Sequence, residues 1–137
     1  MEQNLDRGFD KQLNSVKNLT WLPWVGKNYT KSKYKVLIVG ESHYADAKDD
    51  AQKIIDIEKA LNNKDFTRLC IHEAAIEESW RKNPPTLTNI KRLLLGKSFC
   101  GDETREKLWS QVGYYNFIQS VMGTKKDRPI EISYYDS

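Results

Sequence analysis

The stretch Tyr34-Lys35-Val36-Leu37-Ile38-Val39-Gly40-Glu41-Ser42-His43-Tyr44 decides how the rest of the chain is read. Val36 to Val39 are apolar without a break and largely β-branched. The run is too short for a helix and too apolar for a strand with one wet face. It predicts a central parallel strand buried on both faces, ended by Gly40. In open parallel sheets, ligands bind beyond the carboxyl ends of the strands. Gly40 to Tyr44 occupies that place and sets a carboxylate, a hydroxyl, an imidazole and a phenol side by side. Four polar groups there add little stability, so the loop is expected to be functional. The plainer alternative is that Glu41 or Ser42 caps the following helix while His43 and Tyr44 pack.

Downstream, Asp49 to Asn62 predicts a helix through Ile54, Ile55, Glu58 and Leu61. A second is predicted over Asp65 to Lys82, with Leu69, His72, Ile76 and Trp80 on one stripe and Asn83-Pro84-Pro85 as its stop. A third begins at Thr86 or Thr88 and carries Leu87, Ile90, Leu93 and Leu94 to Gly96. A short fourth spans Glu103 to Gln111. Gly113 to Ile118 predicts a second strand, rich in aromatic and β-branched residues. If it lies beside the first, Asn116 falls near Glu41. Ile130 to Ser137 is extended or opens another helix.

Upstream, Pro23 blocks a regular helix, and Leu19 to Gly26 reads as a structured loop. Its Trp21 and Trp24 either pack on the body or form an aromatic lip beside a pocket. Residues 1–18 are read as an N-terminal arm, either a short amphipathic helix through Phe9, Leu13 and Val16 or a loose segment. Residues 19–137 form a single α/β domain. Two strands are fewer than an independent sheet needs. The domain is therefore expected to be incomplete at its C-terminus, or to complete its sheet with a second copy.

The composition supports one folded domain. The chain has 137 residues, 39% hydrophobic and 30% charged, with four Trp, seven Tyr and four Phe. That aromatic content argues against disorder. Cys70 and Cys100 are far apart and suit reduced thiols, which excludes a zinc ribbon or iron–sulfur site by spacing. His43 and His72 are too few for a histidine-rich metal site, and His72 reads as a core or boundary residue. A magnesium site through Glu41 and Asp46 has no specific spacing. No metal and no cofactor are expected. Nothing resembles a signal peptide or a membrane span, so a cytoplasmic protein is expected. The net charge of +3 divides unevenly: +4 over residues 1–39, −3 over 40–83 and +2 over 84–137. Lys27, Lys31, Lys33 and Lys35 form one basic cluster, and Lys125, Lys126 and Arg128 another. Both are either solvated faces or phosphate contacts, and the second is the candidate nucleic-acid site.

Three chemistries fit the loop. Glu41 acts as general base on a water if burial raises its pKa. Ser42 acts as nucleophile with His43, although neighbouring residues rarely point together and the G-x-S-x-G elbow fails at Tyr44. Backbone N–H groups cradle an anion. Asn116 is the second candidate, because its amide pairs an acceptor with two donors and matches the edge of a pyrimidine. A turn-satisfying asparagine is the alternative.

Val36 to Tyr44 resembles the first active-site motif of the uracil-DNA glycosylase superfamily. That motif follows the first core strand and opens with Gly and then Gln or Glu. Ser42 and His43 stand where the best-known branch has Asp and Pro, and Tyr44 matches its Tyr. Other branches carry Gly-Glu-Ala-Pro-Gly, which Gly40-Glu41 matches. Tyr114-Tyr115-Asn116-Phe117, with Arg128-Pro129 after it, resembles the strand whose Asn reads the uracil edge. Pro23-Trp24-Val25-Gly26 is similar to what precedes the first strand in members of this group. The resemblance spans residues 20–137. It implies a three-layer α/β fold with a parallel central sheet, helices on both faces and hydrolysis of the N-glycosyl bond of uracil in DNA. It departs at Ser42, in lacking the late His-Pro-Ser loop, and in lacking the cysteines of the iron–sulfur branch. Nothing evident stabilises the departing uracil anion, so the chain is expected to be inactive as it stands.

The candidate catalytic residues are thus Glu41, Ser42 and His43. The candidate substrate-binding residues are Gly40, Tyr44 and Asn116. The partner is DNA or a nucleotide. A non-catalytic nucleotide- or nucleic-acid-binding module of the same fold is one alternative. Gly40-Glu41-Ser42-His43 also resembles the Gly-Glu-x-His start of the erythromycin-esterase-like hydrolases, which implies a hydrolase using Glu41 and His43.

Overall fold

The computed structural model describes residues 1–44, 50–77, 85–96 and 102–122. Asp46, Trp80, Cys100, Lys125, Lys126, Arg128 and the segment from Ile130 lie outside them.

The apolar run forms strand β2, Leu37–Gly40, and the aromatic run forms β4, Gly113–Asn116. They pair in parallel, with Ile38 opposite Tyr114 and Gly40 opposite Asn116. Pro23 keeps the segment before them out of a helix, and Trp24–Val25 becomes β1, antiparallel to the other edge of β4. The strand order is β1-β4-β2, so the sheet is mixed rather than wholly parallel. A second ladder continues it, where β3, His43–Tyr44, pairs in parallel with β5, Val121–Met122.

The central strand is therefore β4. Among the described residues β2 is an edge, with Leu37 56% and Val39 58% exposed. This corrects the expectation of a strand buried on both faces. An unbroken apolar run reports hydrophobicity, not position in the sheet. Only the face bearing Val36 and Ile38 packs on the core.

That core gathers Trp24, Trp109, Leu5, Ile71, Ile76 and Tyr114 with their neighbours. The Trp24 indole N–H donates to the carbonyl of Trp109 at 2.8 Å, and that of Trp21 to Ala60 at 2.8 Å. Both indoles are buried, which settles the choice between packing and an exposed lip in favour of packing. Gly26 is required here, because a Cβ would stand 2.4 Å from the backbone of Ser110.

The helices fall close to their predicted bounds, with α2 at Asp50–Leu61, α4 at Pro85–Leu95 and α5 at Asp102–Gln111. Their faces differ more. Ile54, Ile55 and Leu61 of α2 face outward, while Ala60 is buried. The predicted helix after Asp65 divides into α3, Phe66–Ile71, and a π turn over His72–Ile76 closed by Glu77 N–H on the His72 carbonyl. The buried face carries Thr67, Arg68, Ile71 and Ala74 to Ile76 rather than Leu69 and His72.

The N-terminal segment is part of the body. Its one-turn helix α1 is Asp10–Leu13, but Leu5 is its anchor in the core. Asp6 N–H donates to the Val25 carbonyl, and Lys27 N–H to that of Asn4. Arg68, fully buried, pairs with Asp10 and Asp65 and donates to the Pro23 carbonyl. Arg7 joins Glu2, Asp10 and Asp65 above it. A buried guanidinium is tolerated only when paired in this way.

Candidate functional site

The parallel ladder carries Gly40 and Asn116 to the same level at the carboxyl ends of β2 and β4. It persists one step beyond, with Phe117 N–H on the Gly40 carbonyl (2.9 Å) and Ile118 N–H on the Glu41 carbonyl (2.8 Å). The expected adjacency of the two strands and of the Glu41 and Asn116 backbones is present. Gly40 pairs with Asn116 but His43 pairs with Val121, so the segment between β4 and β5 bulges between the ladders. The Ser42 hydroxyl donates across this bulge to the Ser120 carbonyl at 2.7 Å.

Tyr114 and Asn116 are two residues apart on β4 and share the face that Gly40 presents. The Tyr114 hydroxyl donates to Asn116 Oδ1 at 2.9 Å. The pair fills the space above Gly40, where a Cβ would lie 2.2 Å from Tyr114 Oη and 2.3 Å from Asn116 Oδ1. Asn116 is 1% exposed, and its Nδ2 has no hydrogen-bond partner among the described residues. Its carbonyl accepts from Gln119 Nε2 at 2.6 Å, and Gln119 Oε1 in turn accepts from Trp21 N–H. The asparagine is thus fixed at both ends with its amide donors unused. Burial above all, and the nearby Cys70, push the Tyr114 hydroxyl up to about 12, so it stays protonated as a donor.

The other members of the loop are held by different partners. The Tyr44 hydroxyl donates to Glu41 Oε2 at 2.6 Å, across half-buried surface. His43 Nε2 is hydrogen-bonded to Thr67 Oγ1 at 2.9 Å. Its ring stands edge-on to Trp21 at 5.0 Å and to Phe66 at 4.8 Å. Burial takes the imidazole down to about 4, so it is neutral at pH 7. Ser42 and His43 are therefore not assembled as nucleophile and base, because the hydroxyl serves Ser120 and the imidazole serves Thr67.

Sequence reasoning missed the Trp21–His43–Phe66 cage and the Tyr114–Asn116 pair. The second was open to detection, since residues two apart on a strand share a face. The candidate nucleic-acid residues Lys125, Lys126 and Arg128 lie outside the described residues. Among the described residues no group of His, Cys, Asp and Glu is placed to hold a metal ion. No described helix is long and apolar enough to cross a membrane. No family model, no curated protein and no solved structure matches the chain.

Proposed function

We propose that the β2–β4 junction is a nucleobase-recognition pocket and that the chain is a uracil-DNA-glycosylase-like protein directed at a base in DNA. One observation carries this reading: the Nδ2 of Asn116, unpartnered among the described residues and buried at the carboxyl end of a parallel strand pair. An unmade buried donor costs about 1–3 kcal/mol, which a ligand carbonyl would recover. The resemblance of Gly40-Glu41 and of Tyr114 to Phe117 to the superfamily's motifs supports the same reading. Glu41, oriented by Tyr44, is the group left to activate water. On this reading the mixed sheet is the middle layer of a three-layer α/β fold, and further strands pair along the outer edge of β2.

A non-catalytic nucleic-acid-binding module is the second reading. It is favoured by the structural commitments of Ser42 and His43. The test uses the 137-residue chain with single- and double-stranded oligonucleotides that contain one uracil. Binding that weakens with added salt and falls at least tenfold in Asn116→Ala is expected. Release of free uracil, abolished in Glu41→Gln, supports the glycosylase reading. Binding without release supports the module. Binding insensitive to Asn116→Ala, or none, removes both.

A further inference from the structure

The outer edge of β2 carries a pattern in both its backbone and its side chains. Gly113 N–H donates to the Val36 carbonyl and Phe117 N–H to the Gly40 carbonyl, so the even-numbered positions turn their backbone groups toward β4. These groups alternate along a strand. The N–H and C=O of Leu37 and Val39 therefore point to the opposite edge, where no strand pairs among the described residues. The side chains alternate as well. Lys35, Leu37 and Val39 are exposed, while Val36 and Ile38 pack on the core. Glu41 follows at the next step, half-buried. From Lys35 to Glu41 the outer positions read cation, apolar, apolar, anion.

A strand with that pattern is its own complement when it runs antiparallel to itself. With a twofold axis at Ile38, Leu37 stands opposite Val39 of the second copy. The outward N–H and C=O of each residue then find their counterparts on the other. The exposed apolar side chains meet on one face, and Lys35 falls opposite Glu41 of the second copy at both ends. A register two residues away in either direction sets Lys35 against Val39, or Glu41 against Leu37, and loses that match. Lys35 Nζ donates to the Ser32 carbonyl and one Glu41 oxygen accepts from Tyr44. An ammonium has three donors and a carboxylate several acceptor sites, so both groups retain capacity for the pair.

We propose that the outer edge of β2 is a docking surface for a second copy of this chain, which pairs with it antiparallel about Ile38 and joins the two sheets into one. The second copy supplies the strand that the glycosylase-like reading sets along β2, but the pairing itself needs neither a base nor DNA. One strand from each side is a small contact, so the association is concentration-dependent rather than permanent.

Sedimentation velocity on the full chain, without nucleic acid and from low micromolar to millimolar concentration, is expected to show a monomer–dimer equilibrium that stops at the dimer. Val39→Lys should raise its Kd by about tenfold or more. Lys35→Glu and Glu41→Lys each set like charges opposite one another at both ends of the pair, and each alone should raise Kd roughly tenfold. An equimolar mixture of these two variants restores opposite charges at both ends, and its heterodimer should return to within about threefold of the wild-type Kd. Weakening in both variants without rescue in the mixture overturns the proposal. So does a wild type that stays monomeric across the range, or association that runs on past the dimer.

If a variant fails to fold, hydrogen exchange in the wild type decides the matter. The Leu37 and Val39 amides should gain protection as concentration rises, while the Ile38 amide, bonded to β4, is protected throughout. Leu37 and Val39 amides whose exchange does not change with concentration overturn the proposal, and if they are protected at every concentration the edge is covered within a single chain.

Discussion

His43 shows how a residue chosen for its chemistry is used for something else. Its position after a strand suggested a catalytic imidazole. Its neighbours Trp21, Phe66 and Thr67 come from distant parts of the chain, and no local spacing announces them. The cage has a measurable consequence. The folded pKa of about 4 lies below the ordinary value of 6.5. The stability that His43 contributes is therefore complete above pH 6.5 and is lost as pH falls from there toward 4. At 1.36 kcal/mol per pKa unit the loss is about 3 kcal/mol. Urea unfolding at pH 7 and pH 4.5 is expected to show most of that drop in the wild type, and His43→Gln should remove it. An unchanged drop in His43→Gln would assign the acid sensitivity to other groups. Asn116 went the other way: its strand and its approach to Glu41 were legible from the aromatic run, but the face it shares with Tyr114 and its fixed amide orientation were not.

Among the elements, helix positions were largely legible and helix faces were not. Runs of good helix formers with clear stops located α2, α4 and α5. Which side of α3 turned inward depended on Arg68, and a sequence reading puts an arginine outside. It is buried because Asp10 and Asp65 reach it from the N-terminal segment and from the start of α3. The same pairing explains why residues 1–18 are held to the body rather than forming a loose arm. Arg68→Ala leaves Asp10 and Asp65 with only the more exposed Arg7 as a shared partner and removes a buried side chain with its bond to the Pro23 carbonyl. It is expected to cost about 3–5 kcal/mol. Asp10→Asn, with its carboxylate partly exposed and Asp65 still in place, is expected to cost less. Denaturant midpoints of the two variants check the order. Equal and small losses would show that Leu5 and the backbone bonds to Asn4 and Asp6 hold the segment unaided.

For the whole molecule, the governing tension is that the apolar strand β2 is an edge among the described residues. Val36 to Val39 carry the hydrophobicity of a buried strand, yet Leu37 and Val39 stand more than half exposed, as does Ile54 of α2. An edge that is apolar and unpaired is a template for pairing with another chain. Among the described residues β2 has only one neighbour. The consequence is testable without knowing what covers the edge. Val39→Lys places a charge on the exposed face of β2, away from Ile38, Tyr114 and Asn116. It is expected to change unfolding free energy by no more than about 0.5 kcal/mol, as for other exposed positions. Lysine on an edge strand also opposes strand-on-strand association, so the concentration at which light scattering rises should increase several-fold. The matched change on the packed face, Ile38→Lys, should instead destabilise the fold and lower that concentration. If Val39→Lys is as destabilising as Ile38→Lys, the outer face of β2 is covered in solution, and the strand is interior after all.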